Sequence, residues 1–335
     1  MKINRFILTA LTLVSSMPIC PTHAETVTFG TSANQFSMEF VKIGNPNNVA
    51  DATNRWTTGT VGYNYEIGKY EVSRDMVTKA SAQGNLGINL PDETIYYVND
   101  PGGNGPNRPA TGSLFQMMRF VNWLNTSQGY HAAYNFGTQP GDVGYNSNET
   151  DVPWLPTDAG YDPNNIFRNS LAHYVVSSYD EWYKAAYYDP STGTYTIYAT
   201  GSNTNPTPVA SGTDPNTVVY GVQVGPADIT QAGGLSAYGT MAQSGNVREW
   251  METQLNHFNG VPPSGFQVHW ISGGGFQSPN PSDLNKGVSV ATQADIMNPA
   301  VGLRVVVLPE SSTILMAAVG IGILAIAARY RSATS

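Results

Sequence analysis

The chain has 335 residues, 41% of them hydrophobic, which is enough to bury a large core and excludes a disordered chain. A formal charge of −8 with only 12% charged residues leaves no clustered Lys and Arg, so nucleic acid is excluded as a partner. With 34 glycines, 22 prolines and 19 tyrosines, the composition predicts many turns joined by short aromatic-rich segments rather than long helices.

Residues 1–24 read as an export signal peptide. Met1-Lys2-Ile3-Asn4-Arg5 is a short positive region, Phe6 to Val14 is apolar, and Thr22-His23-Ala24 is a small-residue cleavage site that makes Glu25 the first mature residue. Cys20, the only cysteine, lies inside this segment. The mature protein therefore has no thiol, and packing, alone or with a bound ion, must do what disulfides often do outside the cell.

Met38 to Ile43 and Tyr63 to Val72 read as extended pieces separated by the turn-rich Gly44 to Asn48, and the alternation in Tyr63-Asn64-Tyr65-Glu66-Ile67 predicts one buried face. After the turn chemistry of Asn99 to Arg108, Ser113 with Gln116 forms a capping box that opens a helix. Leu114, Met117, Met118, Val121 and Leu124 then recur at helical spacing and are assigned to the core. A second box, Ser178 with Glu181, opens a helix over Asp180 to Tyr188 that Asp189-Pro190 stops. The long Gly/Asn/Pro/Thr stretch from Tyr198 to Gly239 should be functional or organised around something. Strand signals return at Gln267 to Ile271 and Leu303 to Val307, and no repeat or linker divides the region, so 25–307 is one domain.

Residues 308–335 form a tail. Its apolar run, Ile314 to Ala328, is short for a span, which takes about 20 residues, and Arg329-Tyr330-Arg331 follows as a positive stop. The pattern resembles the PEP-CTERM sorting signal, with Pro309-Glu310-Ser311 in place of the family's Pro-Glu-Pro. That resemblance implies an exosortase-type sorting protease as partner, and a C-terminal helix that holds the protein to the membrane until it is cut and released or re-anchored. An ordinary tail anchor is the other reading.

Within the domain, Ile67-Gly68-Lys69-Tyr70-Glu71-Val72, Asn107-Arg108-Pro109, Phe120 to Leu124, Asp180 to Tyr188, Pro226-Ala227-Asp228 and Gly245-Asn246-Val247-Arg248-Glu249-Trp250 together resemble the formylglycine-generating-enzyme, or sulfatase-modifying-factor, family. The resemblance implies an α+β fold: one irregular, loop-rich domain of C-type lectin-like type, clamped by calcium. In that family Glu249 and the carbonyls of Gly245 and Val247 would hold calcium, with Asn216 and Asp228 as a weaker second set. Two departures bear on this: Ala242 stands where a side-chain oxygen is usual, and Arg248 where the first Trp of the motif is usual. The residues alone leave a second assignment open, in which Glu249 is a buried carboxylate paired with Arg248 or Arg304, and Trp182 and Trp250 are core.

The family's copper(I) is held by two cysteines shortly after a Gly-Gly-Ser segment, matched here by Gly273-Gly274-Gly275-Phe276. Ser278 and Asp283 replace them, and neither supplies the soft thiolate that copper(I) requires, so no copper and no formylglycine formation are expected. The mature histidines His131, His173, His257 and His269 are scattered without ligand spacing, which favours structural roles over the family's iron chemistry. No nucleophile elbow, zinc-protease motif, phosphate loop or dinucleotide fingerprint is present, and no catalytic residue is assigned. The expectation is a non-catalytic binding or structural module of the envelope, contacting exopolysaccharide or another matrix component. The alternative is an enzyme of the same superfamily working through a non-thiol metal site or carboxylates.

Overall fold

A computed structural model describes residues 24–54, 57–97, 102–222, 224–255 and 267–309. The signal-peptide segment 1–24, apart from Ala24, and the tail beyond Pro309, with Glu310 and Ser311, lie outside the described residues. Among those described, no helix is long and apolar enough to cross a membrane.

Two sheets organise the chain. The larger has five strands in the order Glu25–Phe29, Phe36–Ile43, Tyr65–Gly68, Val305–Val307, Tyr174–Val176, every neighbour antiparallel. In Phe36–Ile43 the alternating Phe36, Met38 and Phe40 are buried while Ser37 is exposed, so one face of the sheet meets the core. The smaller sheet runs Ser289–Gln293, Val268–Ser272, Arg248–Gln254, Val301–Leu303, the last pair parallel.

Among the described residues four α-helices pack around them: α1 (Arg74–Gly84), α2 (Glu93–Tyr96), α3 (Leu114–Ser127) and α4 (Tyr179–Tyr187). Each begins where a side chain satisfies an otherwise orphaned backbone N–H: Ser73, Asp92, Ser113 and Ser178 accept from Met76, Thr94, Gln116 and Glu181. In α4 the capping box is complete, because the Glu181 carboxylate also accepts from the Ser178 N–H at 2.7 Å. In α3 it is half made: the Gln116 amide turns away to donate to Ser147 Oγ at 3.1 Å. Leu114, Met117, Met118, Val121 and Leu124 are all buried, as their spacing predicts.

Two extended pieces are interrupted. The strand expected over Tyr63 to Val72 is regular only at Tyr65–Gly68. Beyond it Val72 leaves the sheet ladder, donating to Leu303 O at 3.1 Å and accepting from Ala110 N at 2.7 Å. The strand expected over Leu303 to Val307 splits at Arg304, with Val301–Leu303 in the small sheet and Val305–Val307 in the large one. Arg304 is thus the hinge residue between the sheets, and its side chain is fully buried there.

Candidate functional site

The segment from Gly245 to Trp250 sits at the junction of the two sheets, and its backbone conformation explains its residues. Gly245 has φ +96, and a Cβ there would lie 2.6 Å from Val219 O and closer still to the Val218 side chain, so only glycine fits. Asn246 follows at φ +55, a region asparagine tolerates, and the chain then enters the strand that begins at Arg248.

Side chains from distant parts of the sequence converge on this segment. Glu249 is fully buried, and both of its oxygens are occupied: Arg304 Nη2 donates to Oε1 at 2.7 Å, Arg304 Nε to Oε2 at 3.2 Å, and Trp182 Nε1 to Oε2 at 2.5 Å. Arg304 also donates to the carbonyls of Gly68 at 2.7 Å and Met241 at 2.5 Å. Beside this pair lies Glu71, which accepts from Asn246 Nδ2 at 2.5 Å and from Val247 N at 3.2 Å. Glu249 contacts the guanidinium directly, whereas Glu71, held by Asn246 and Val247, feels it only as a nearby charge. Burial, reinforced by the charge of Glu249 and opposed by Arg304, pushes Glu71 up to about 8.

This arrangement does not fit a calcium ion at Glu249. Calcium takes six to eight oxygen ligands, whereas both carboxylate oxygens here are committed to the Arg304 guanidinium and the Trp182 indole. Among the described residues no three His, Cys, Asp or Glu side chains gather as a metal site. Gly245 and Val247 direct their N–H groups to Gly273 O and Glu71, and Ala242 is held at φ +70 with no side-chain oxygen. Asn216 and Asp228 are engaged separately. Asn216 accepts from Thr200 and donates to Thr204 and Asn205, while Asp228 faces Arg108 at 3.8 Å. Of the two assignments left open for Glu249, the geometry selects the pair with Arg304.

Ser278 and Asp283, by contrast, are brought together. Both line a pocket of about 370 Å³ together with Arg248, Gly275, Phe276 and Ala300. The turn that carries them is tied down: Ser278 Oγ accepts from Gly275 N at 3.0 Å, Ser278 O from Gly221 N at 3.0 Å, and Asp283 Oδ2 from Asn280 N at 3.2 Å. Gly274 at φ +68 permits the turn, since a Cβ there would press on Leu284 and lie 2.9 Å from Asp283 O. The donor set is a hydroxyl, a carboxylate and a guanidinium, hard or cationic groups that offer copper(I) no ligand. A larger hollow of about 720 Å³ lies where the domain begins and ends, between Glu25, Lys42, Glu66, Tyr130, His173 and Pro309.

A second buried network carries no signal in the sequence. Arg168 donates to both oxygens of Glu181 at 3.2 and 2.9 Å, and its Nε lies 2.7 Å from Glu252, whose other oxygen accepts from Tyr134. Its members are far apart in the chain and follow no motif, so spacing could not reveal it. Nearby, Asp151 is buried with neither carboxylate oxygen hydrogen-bonded, and burial raises it to about 7. His269, placed in a structural role from sequence, is buried beside Met251 O at 3.3 Å.

Small mixed sheets, short capped helices and a loop-built pocket at the junction define a protein of the formylglycine-generating fold class. The sequence matches the Sulfatase-modifying factor enzyme 1-like domain over residues 37–308, and the chain belongs to that family. Among solved structures it is similar to Treponema denticola variable protein 1, with 18% identity and a TM-score of 0.55, covering 85% of this chain and 99% of that one. It is likewise similar to CarF, with 17% identity and a TM-score of 0.52, covering 86% and 99%. No curated protein matches the sequence.

Proposed function

We propose that this chain is a non-catalytic binding module of the cell envelope, whose ligand site is the pocket of Arg248, Ser278 and Asp283. The observation that carries this reading is that the two positions matching the family's cysteines share one pocket in which no thiol is present. The family's oxidation chemistry has lost its metal-binding sulfurs while the concave site around them persists, and a concave site with a few convergent polar groups is what a ligand needs.

The ends of the chain give the setting. Residues 1–24 export the domain, and the tail around Pro309-Glu310-Ser311 serves an exosortase-type protease, with the C-terminal helix holding the membrane or the product released to the matrix. The chain from Ala300 to Pro309 runs from the pocket to the hollow where the domain ends, a path of up to about 30 Å at ~3.3 Å per residue. In that setting the pocket faces exopolysaccharide or another matrix component.

Glycan-array and matrix pull-down measurements on the full chain test this reading, and selective binding that the pocket variant Ser278→Trp abolishes is expected. Metal analysis and a formylglycine mass assay run beside them. One copper or iron per chain, together with turnover of a substrate, would overturn the reading in favour of an enzyme with a non-thiol site.

A further inference from the structure

The interior arginines of this domain are paired. Arg74, Arg119, Arg168 and Arg304 each have a carboxylate within 3.1 Å, on Glu93, Glu149, Glu181 and Glu249. Arg108 is held more loosely, facing Asp228 at 3.8 Å, and Arg248 stands apart from them all. It is half-buried on the pocket wall, its backbone N–H donates to Ala300 O at 3.0 Å, and its guanidinium has neither a hydrogen bond nor an ion pair with any described residue. A guanidinium held by a strand, half-removed from water and lacking an anion, has paid part of its desolvation cost without the compensating contact.

The same pocket offers two further groups. Asp283 uses Oδ2 to accept from Asn280 N, and Oδ1 makes no contact with a described donor. Ser278 Oγ accepts from Gly275 N, which leaves its hydroxyl proton to be donated. The site thus combines a planar cationic fork, a carboxylate acceptor and a hydroxyl, backed by the buried Phe276.

From these groups we infer that the pocket binds an acidic saccharide, a sugar ring bearing one carboxylate among hydroxyls. This rests on the binding-module reading and names its ligand class. The carboxylate pairs with Arg248, whose fork matches two coplanar oxygens. Ring hydroxyls donate to Asp283 and accept from Ser278. Asp283 also sets the choice among anions, since its negative charge in the same small hollow disfavours a doubly charged phosphate more than a singly charged carboxylate. At about 370 Å³ the pocket is near the lower end of ligand cavities, which run about 300–1,000 Å³, so it takes a short segment rather than enclosing a polymer.

Titration calorimetry on the full chain in detergent provides the test, with an oligogalacturonate, the same oligosaccharide after reduction of its carboxyls to alcohols, and inorganic phosphate as probes. The oligogalacturonate is expected to bind at least tenfold more tightly than its reduced form, and added salt should narrow the gap. Arg248→Gln should remove that preference and Arg248→Lys, which keeps charge without the fork, should retain part of it, with melting curves confirming that each variant folds. Asp283→Asn should weaken both saccharides. Equal binding of the charged and reduced forms would overturn the acidic preference while leaving a binding module. Phosphate competing as well as the uronate would reduce the site to a simple anion site. Failure of all saccharides, here and on the glycan array, would sink both readings.

Discussion

Arg304 and Glu249 form a fully buried ion pair, with Nη2 2.7 Å from Oε1, at the point where one strand leaves the small sheet for the large one. The pair holds the two sheets together, because Arg304 also bonds the carbonyl of Gly68 in the large sheet and that of Met241 in the loop before Gly245. Arg304→Met should therefore be severe. It leaves Glu249 and two carbonyls buried without their cation, and breaking such a pair costs about 3–5 kcal/mol. Adding Glu249→Gln to Arg304→Met should restore part of the loss, since the stranded charge is then gone. Urea unfolding of the single and double variants measures both, and a double variant no better than the single would show that the carbonyl bonds, not the charge, dominate.

Glu71 makes stability fall with rising pH. Its carboxyl binds a proton more tightly when folded, at about 8, than at its ordinary value of 4.5. The stabilisation from that protonation is complete below about 4.5, declines through the interval, and is gone above about 8. Glu71→Gln stays neutral throughout, so its unfolding free energy should be flatter across this window and should gain on the wild type as pH rises. Parallel curves for the two proteins would mean that Glu71 stays ionised beside Arg304.

The sequence was most legible where a local rule decides the structure. Ser178 and Glu181 announce α4 because a capping box is a four-residue event, and the helical spacing of Leu114 to Leu124 announces the buried face of α3. Helix α1 is not legible in the sequence although Ser73 caps it, since Arg74 to Gly84 carries only Val77 and Ala80 as fully buried apolar residues and its periodicity is faint. Ser278 and Asp283, picked out by their position after Gly275, line one pocket. What the family motifs could not supply was partner choice: Glu249 had two arginines within reach of the argument, and the selection of Arg304 depends on a strand break 55 residues later. The Arg168 network with Glu181 and Glu252 is invisible for the same reason, as its geometry exists only after the chain has folded back.

Gly245 tests whether the conformation or the space around that residue governs the junction. Alanine in the left-handed region costs about 1–2 kcal/mol by itself. At Gly245 the added methyl would also meet Val219 O at 2.6 Å and the Val218 side chain, whereas at Gly129, with φ +84, nothing lies within 4 Å. Gly129→Ala should therefore show the backbone cost alone, and Gly245→Ala should exceed it by about 1–3 kcal/mol, the range of overpacking in a filled site. Chemical denaturation of both variants gives the comparison, and equal losses would mean that the loop carrying Val218 and Val219 yields at little cost.

His269 sets the acid limit in a way opposite to Glu71. Burial lowers its value from 6.5 to about 4, against bonds to Met251 and Glu252 that favour the charged form, so the folded domain keeps the ring neutral where the unfolded chain would protonate it. The contribution is present in full above about 6.5 and is lost as pH falls toward about 4. His269→Gln removes the titration while leaving an amide able to reach Met251 O, and its unfolding curve should lose less stability than the wild type between those two values. The two residues act over overlapping ranges with opposite slopes, so stability should peak between them; it should move to lower pH in His269→Gln and to higher pH in Glu71→Gln. Thermal melts of the three proteins across pH 4 to 9 decide the matter, and a wild-type maximum that neither substitution moves would assign the pH dependence to other groups.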